Sequence, residues 1–401
     1  VQGSINCLSF AKKMGSHKQF WLLCFSSLFF MASFNMIIPE LPSFITSLGG
    51  EAYKGWIIGM FALAALLSRP FSGRLSDVWG RIPVMIIGAS VAVLSGFMYI
   101  FIGGLWAFFI LRFIHGFSAG FNPTGTTAYL SDISPAQRRG EWMGYLGVAG
   151  SAGMAGGPAL GSFIAAVYSQ EAMFYTASFL ALLSLAFVVG MKETVKRERA
   201  IRPVDLWVKP NEIFDVDVWR PSLVMFLSVF CFGIVLTVTP DLGDLLGVQN
   251  RGLFFTVMLS FSILVRVFAG KTSDRMGRVA ALRVAMCLLV AAMSVLTFTH
   301  NLVGYYSGAL LYGLAAGISS PAIFAWTIDI ARPQFRGKAI STMFIALEAG
   351  VFSGSVLGGF IYGNSIHHIH YAYLTGIFTA ALALVLLLQT SNKKGSTIGL
   401  P

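Results

Sequence analysis

The sequence predicts an all-α integral membrane protein, with twelve transmembrane helices in two six-helix, pseudo-symmetric bundles. Three observations predict it. Of 401 residues, 56% are hydrophobic and only 11% charged, and the mean hydropathy is +0.75. A soluble globular protein carries about 25% charged residues, so a soluble enzyme, a disordered chain and a secreted disulfide scaffold are excluded. The apolar residues gather into runs able to span a bilayer, which takes roughly 20 residues each. Finally, the second half of the chain repeats the first at a constant offset.

The runs lie at 20–46, 53–72, 83–102, 105–130, 142–167 and 172–191, then at 221–240, 252–269, 279–299, 302–328, 339–363 and 371–390. In the first run, Pro39-Glu40-Leu41-Pro42 predicts a broken helix, because each proline lacks a backbone donor. Residues 192–220 are charged and contain Pro203 and Pro210. They read as a cytoplasmic linker between an N-terminal bundle (1–191) and a C-terminal bundle (221–401), with a surface-lying amphipathic piece near Trp207.

The net charge of +11 reflects the positive-inside rule rather than a nucleic-acid partner. With the N-terminus inside, Arg74, Arg81, Arg138, Arg139, Arg278, Arg283, Arg332, Arg336, Lys338 and the linker cluster fall on the cytoplasmic face. Lys54 and Arg251 alone fall opposite, and both termini are placed in the cytoplasm. Cys24, Cys231 and Cys287 lie in apolar runs and read as small buried hydrophobes.

The loop Gly73-Arg-Leu-Ser-Asp77-Val-Trp-Gly80-Arg81 returns as Gly270-Lys-Thr-Ser-Asp274-Arg-Met-Gly277-Arg278, 197 residues later. The same offset carries Arg69 to Arg266, Gly120 to Gly317, Asp132 to Asp329 and Arg139 to Arg336. It also carries Gly153, Gly157 and Gly161 to Gly350, Gly354 and Gly358.

On these residues the chain resembles the major facilitator superfamily over essentially its full length. Within it, the chain looks most like the twelve-helix drug:proton antiporters. Arg112-Phe-Ile-His115-Gly116 resembles the R-x-x-Q-G motif, with His115 in place of Gln. Gly153-Met-Ala-Gly-Gly157-Pro158-Ala-Leu-Gly161 resembles the antiporter motif G-x-x-x-G-P-x-x-G-G, with Ser162 in place of the last Gly. The resemblance implies alternating access about a midplane site, no covalent chemistry and no cofactor. The implied partners are a small-molecule substrate, protons and the lipid bilayer, for a monomer in a bacterial inner membrane. It also implies that Asp77 latches to the cytoplasmic start of the eleventh run, near Arg336 and Lys338. Asp77, Arg81, Asp132, Arg139, Asp274, Arg278, Asp329 and Arg336 form the gating set, with Asp132 near Arg139 and Asp329 near Arg336 read as gate ion pairs. The helix-5 glycines imply a seam between the halves.

The proton-coupling candidates are Glu348, Glu40, Arg112 and His115. Arg112, His115, Ala119 and Asn122 form one helical stripe. A guanidinium in the hydrocarbon zone must face a wet cavity or a carboxylate, and Arg112 maps to Ala309, so the repeat does not require it. Glu348 lies about ten residues into its helix, hence roughly 15 Å from the start, close to the bilayer middle. Phe344 and Phe352 stand at i−4 and i+4 and disfavour its charged form. Three of the four have a plainer alternative: a hydrogen-bonded bundle histidine for His115, a structural carboxyl for Glu348, a water-facing interface residue for Glu40. Substrate-binding candidates are Asn35, Asn122, Glu348, Phe29, Phe230, Phe344 and Phe352, the aromatics as walls for an amphipathic or cationic solute. Asp241 and Asp244 read as solvated. His367, His368 and His370 form an exposed turn too weak to assign a metal. The leading functional reading is proton-coupled efflux of a small amphipathic organic solute or drug. The alternative is a nutrient importer for a sugar, an organic acid or a metal–chelator complex.

Overall fold

The computed structural model describes residues 2–135, 138–195, 214–332 and 336–390, without the side chains of 2–16, 139–140, 267–275 and 336–337. Trp207 and most of the expected linker lie outside it. Among the described residues every regular element is helical, as a chain in lipid requires, since a helix satisfies its own backbone polar groups. The long helices are α1 (Gln2–Ile37), α3 (Lys54–Trp79), α4 (Arg81–Met98), α5 (Leu105–Ile133), α6 (Arg139–Val167) and α7 (Gln170–Val189). They continue as α8 (Trp219–Leu245), α9 (Gly252–Met276), α10 (Arg278–Phe298), α11 (Leu302–Ile330), α12 (Arg336–Tyr362) and α13 (Ile369–Gln389). The predicted break is present: α1 stops at Ile37, a 3-10 turn spans Ile38–Glu40, and a short α2 follows at Leu41–Ser47.

Among the described residues nine helical stretches are long and apolar enough to cross a membrane. α5 and α6 are not among them, although each has 29 residues. Their sequences carry glycine faces and polar side chains in place of leucine and valine.

The chain forms two compact units, Val1–Glu40 with Ala64–Val208, and Leu41–Leu63 with Lys209–Pro401. In the first, α1 packs on α6 and α7, and α4 packs on α5 and α7. In the second, α8 packs on α12 and α13, and α10 packs on α11 and α13. The pairings are the same, one helix for one, as the sequence repeat predicts.

The glycine face of α6 packs on α1 inside the first unit, which corrects the expected seam between halves. A Cβ on Gly153 would strike the Leu28 carbonyl oxygen, one on Gly157 would lie 2.7 Å from that of Ala32, and one on Gly161 would strike that of Met36. Small residues here let two backbones approach closely. In the second unit Gly350 and Gly354 meet the carbonyl oxygens of Phe226 and Phe230 in the same way, and Gly358 meets the Ile234 side chain. The α6 glycines map onto α12 at an offset of 197, but their α1 partners map onto α8 at 198. Gly80 and Gly277 lie at φ +124° and +91°, at the starts of α4 and α10. That backbone region favours glycine and accounts for the invariant turn in both copies of the loop.

Candidate functional site

Among the described residues the most deeply buried charge is Arg112, 1% exposed, with Tyr99 at 0% and His115 at 1%. Tyr99 begins the 3-10 turn that ends α4, and α5 brings Arg112 and His115 to it one turn apart. Arg112 Nη1 donates to the Tyr99 hydroxyl oxygen at 3.3 Å, and that oxygen is 3.3 Å from His115 Nδ1. The Tyr99 ring stacks on Phe174 of α7, 5.1 Å between centroids. A phenol hydroxyl thus stands between a permanent cation and an imidazole. The structure brings two of the four proton-coupling candidates together and adds Tyr99, which sequence reading missed. Its polar end is spaced to meet Arg112 only once α4 and α5 are packed.

Asn122 lies two turns further along α5, also 1% exposed. Its amide donates to the Met85 carbonyl oxygen of α4 (3.3 Å), and its oxygen accepts from Thr126 (3.3 Å). Asn35 donates to the Met31 carbonyl oxygen of its own helix at 2.8 Å.

Glu40 is 7% exposed rather than water-facing, and Ser162 Oγ donates to its carboxylate at 2.6 Å. Ser162 is the residue that departs from the antiporter motif, so the departure and the carboxyl are one local arrangement. In the second unit Glu348 is 8% exposed within α12. Phe344 and Phe352 flank it, Phe344 edge-on to Phe324 at 6.1 Å and Phe352 edge-on to Trp56 at 6.2 Å. Phe230 is buried, tilted against Phe226. The Phe29 ring lies flat on Phe187 of α7 (5.8 Å, 4°), which places it against a neighbouring helix of its own unit.

The loop motif builds a charged cluster in the first unit. Arg81 pairs with Asp77 at 2.6 Å and with Asp132 at 3.0 Å. Thr194 Oγ1 also donates to Asp132 (2.7 Å). Glu193 accepts from the backbone N–H groups of Arg81 (3.1 Å) and Ile82 (2.9 Å), which caps the start of α4. A carboxylate there also complements the helix dipole. The second unit repeats one pair, Arg278 with Asp329 at 3.2 Å. Asp132 and Asp329 thus meet Arg81 and Arg278, brought close by the glycine turns, where the sequence points to Arg139 and Arg336. The side chains of Arg139, Asp274 and Arg336 lie outside the described residues. Glu193 was not singled out from sequence, since it opens a charged stretch that reads as solvated.

At the other end of the second unit, Lys54 Nζ pairs with Asp241 at 2.5 Å, with side chains 9% and 11% exposed. Asp241 is therefore buried, not solvated as expected. Arg251 pairs with Asp244 at 2.6 Å in a more open setting, 24% and 41% exposed. His370 Nδ1 donates to the Thr297 carbonyl oxygen at 2.5 Å, so it is a helix-packing residue.

The family model described as Major Facilitator Superfamily matches residues 23–331 and again 222–399. The chain belongs to this superfamily. As a major facilitator, it is a multi-pass membrane transporter and not an enzyme. It is 25% identical to Multidrug resistance protein 2 of Bacillus subtilis, over 97% of this chain and 99% of that one. It is 24% identical to the class H tetracycline resistance protein of Pasteurella multocida, over 89% and 91%. Among solved structures it resembles a D-xylose-proton symporter with a TM-score of 0.79, at 17% identity, over 96% and 100% of the two chains. That likeness speaks for the major facilitator fold alone.

Proposed function

We propose that this transporter exports a small amphipathic organic solute against the exchange of protons, by alternating access. The observation that carries the reading is a buried carboxyl in each unit, Glu40 in the first and Glu348 in the second. An ionisable group inside a membrane span is costly, and it persists where ions or substrates are handled. The full-length likeness to proteins named for multidrug and tetracycline resistance supports efflux.

In this reading Glu348 loads and releases the proton, with Glu40 and the Arg112–Tyr99–His115 group as modulators. Its ionised form attracts a cationic solute between the faces of Phe344 and Phe352. The clusters at Arg81 and Arg278 act as cytoplasmic gates, because an exposed ion-pair network can be exchanged at modest cost, about 0–1 kcal/mol per pair.

The test is transport in proteoliposomes driven by an imposed pH gradient. Glu348→Gln is expected to abolish gradient-driven accumulation while leaving counterflow of a preloaded substrate. Gradient-driven transport surviving in both Glu348→Gln and Glu40→Gln would refute the proton assignment. Accumulation in right-side-out rather than inverted vesicles would assign import, the alternative function.

A further inference from the structure

At the end of the second unit that the positive-inside rule assigns to the cytoplasm, α8, α11 and α13 frame a cavity of about 80 Å³. Its walls include Trp219, Arg220, Leu223, Trp326, Gln389 and Thr390. Trp219 and Arg220 open α8, Gln389 closes α13, and Trp326 lies one turn from the end of α11. All three helix ends are therefore at the boundary between hydrocarbon and water. The volume is well below the roughly 300–1,000 Å³ of a site for a drug-sized solute.

The first unit fills the same place. The offset of 197 sets Tyr129 where Trp326 stands and Lys192 where Gln389 stands. There the Tyr129 hydroxyl is 2.8 Å from Gln19 Oε1 and 2.9 Å from the Lys192 carbonyl oxygen, and the Lys192 backbone N–H donates to Gln19 Oε1 at 3.0 Å. Phe20, Leu23, Trp142 and Met191 pack beneath. An indole at 326 has no hydroxyl to tie these ends together. The cavity is thus a property of the second unit, not of the repeated fold.

Its chemistry selects an anion with an apolar body. The Arg220 guanidinium lies 5.4 Å from the Trp219 ring centroid and is solvent-exposed. Among the described residues Arg220 makes no ion pair, and the nearby Asp217 is paired with Arg332 at 3.0 Å. The C-terminal carbonyl groups of α13 would repel an anion. Arg283 covers them, donating to the Leu387 and Thr390 oxygens at 3.0–3.1 Å. The Gln389 amide supplies a neutral donor, the Thr390 hydroxyl being given to the Leu386 carbonyl oxygen at 2.8 Å, and Leu223 continues the wall toward the hydrocarbon. Paired indoles sit well at headgroup depth, and a guanidinium is suited to phosphate.

We propose that this cavity holds the headgroup phosphate of an anionic phospholipid from the cytoplasmic leaflet. Arg220 binds the phosphate, and the two indoles hold the glycerol region. The inference does not depend on substrate, direction or proton coupling.

The experiment places the purified transporter in phosphatidylcholine nanodiscs carrying a minority of brominated phosphatidylglycerol or brominated phosphatidylcholine. Bromine quenches nearby tryptophan, and subtracting the signal of a Trp219→Phe/Trp326→Phe variant isolates this site from the other tryptophans. The brominated phosphatidylglycerol is expected to quench at a roughly fivefold lower mole fraction, the factor for one arginine facing anionic lipid. Arg220→Gln should remove that preference, and Arg220→Lys should keep most of it. Equal quenching by the two lipids, or a preference that survives Arg220→Gln, would overturn the proposal. So would loss of the preference on adding millimolar inorganic phosphate, which would assign a free-anion site.

Discussion

The two units repeat each other in backbone but not in where they bury charge. Tyr99, Arg112 and His115 of the first unit correspond to Leu296, Ala309 and Tyr312 of the second. In the other direction, Glu348 of the second corresponds to Ser151 of the first. The duplicated residues are those that set architecture: the glycines of α6 and α12, the turns at Gly80 and Gly277, the pairs Arg81–Asp132 and Arg278–Asp329. The unduplicated ones carry charge inside the span. After duplication, packing holds both copies to the same small residues, while a costly buried charge stays only where one copy needs it.

Breaking a shared packing residue tests the first half of that contrast and should have the largest effect. Gly157→Leu and Gly354→Leu each drive a side chain into backbone. Both should abolish folding or lower stability by more than the ~1–3 kcal/mol of ordinary overpacking, read as loss of a monodisperse peak and a lower thermal midpoint. If Gly354→Leu folds normally, the duplicated seam is not what holds the second unit.

Next come the outer ion pairs, Lys54–Asp241 and Arg251–Asp244. Removing one partner of a buried pair costs about 3–5 kcal/mol, and an exposed pair is worth about 0–1 kcal/mol. Asp241→Asn should therefore lower the thermal midpoint clearly and Asp244→Asn hardly at all. Equal shifts would show that burial does not separate them.

The unshared charge should matter for transport more than for folding. Arg112→Lys keeps the charge but not the planar fork. It is expected to reduce transport by roughly tenfold, about 1.4 kcal/mol, with little change in detergent stability. Arg112→Lys with wild-type flux would reduce the group to a structural one. The smallest effect belongs to Ser162→Gly, which restores the motif and removes one hydrogen bond to Glu40. A loss of about 1 kcal/mol is expected, the net worth of a typical hydrogen bond, seen in thermal denaturation.

The fold was legible because it rests on composition and a repeat, both of which are properties of the linear chain. The break at Pro39–Pro42 was legible for the same reason. So was the burial of Arg112 and Glu348, because each lies deep within an apolar run. Partners were not legible. Ser162 meets Glu40 across 122 positions, and Lys54 meets Asp241 across 187. A run of small and apolar residues does not say which helix its face will meet. The pairing of Asp132 with Arg81 was not legible for a related reason. Arg139 is nearer to Asp132 in sequence, but the turn at Gly80 swings Arg81 onto it from 51 positions away.

The slipped numbering between the first helices has a consequence of its own. From Met36 to Lys54 the first half of the sequence runs 18 positions, and from Ile234 to Arg251, its counterpart, 17. One additional residue in a continuous helix would rotate everything beyond it by about 100°. α8 runs unbroken to Leu245, whereas α1 stops at Ile37 and gives way to the tight winding of Ile38–Glu40. Glu40 stands in that interruption, so the acid of the first unit sits at a break in its helix that the unbroken α8 does not share.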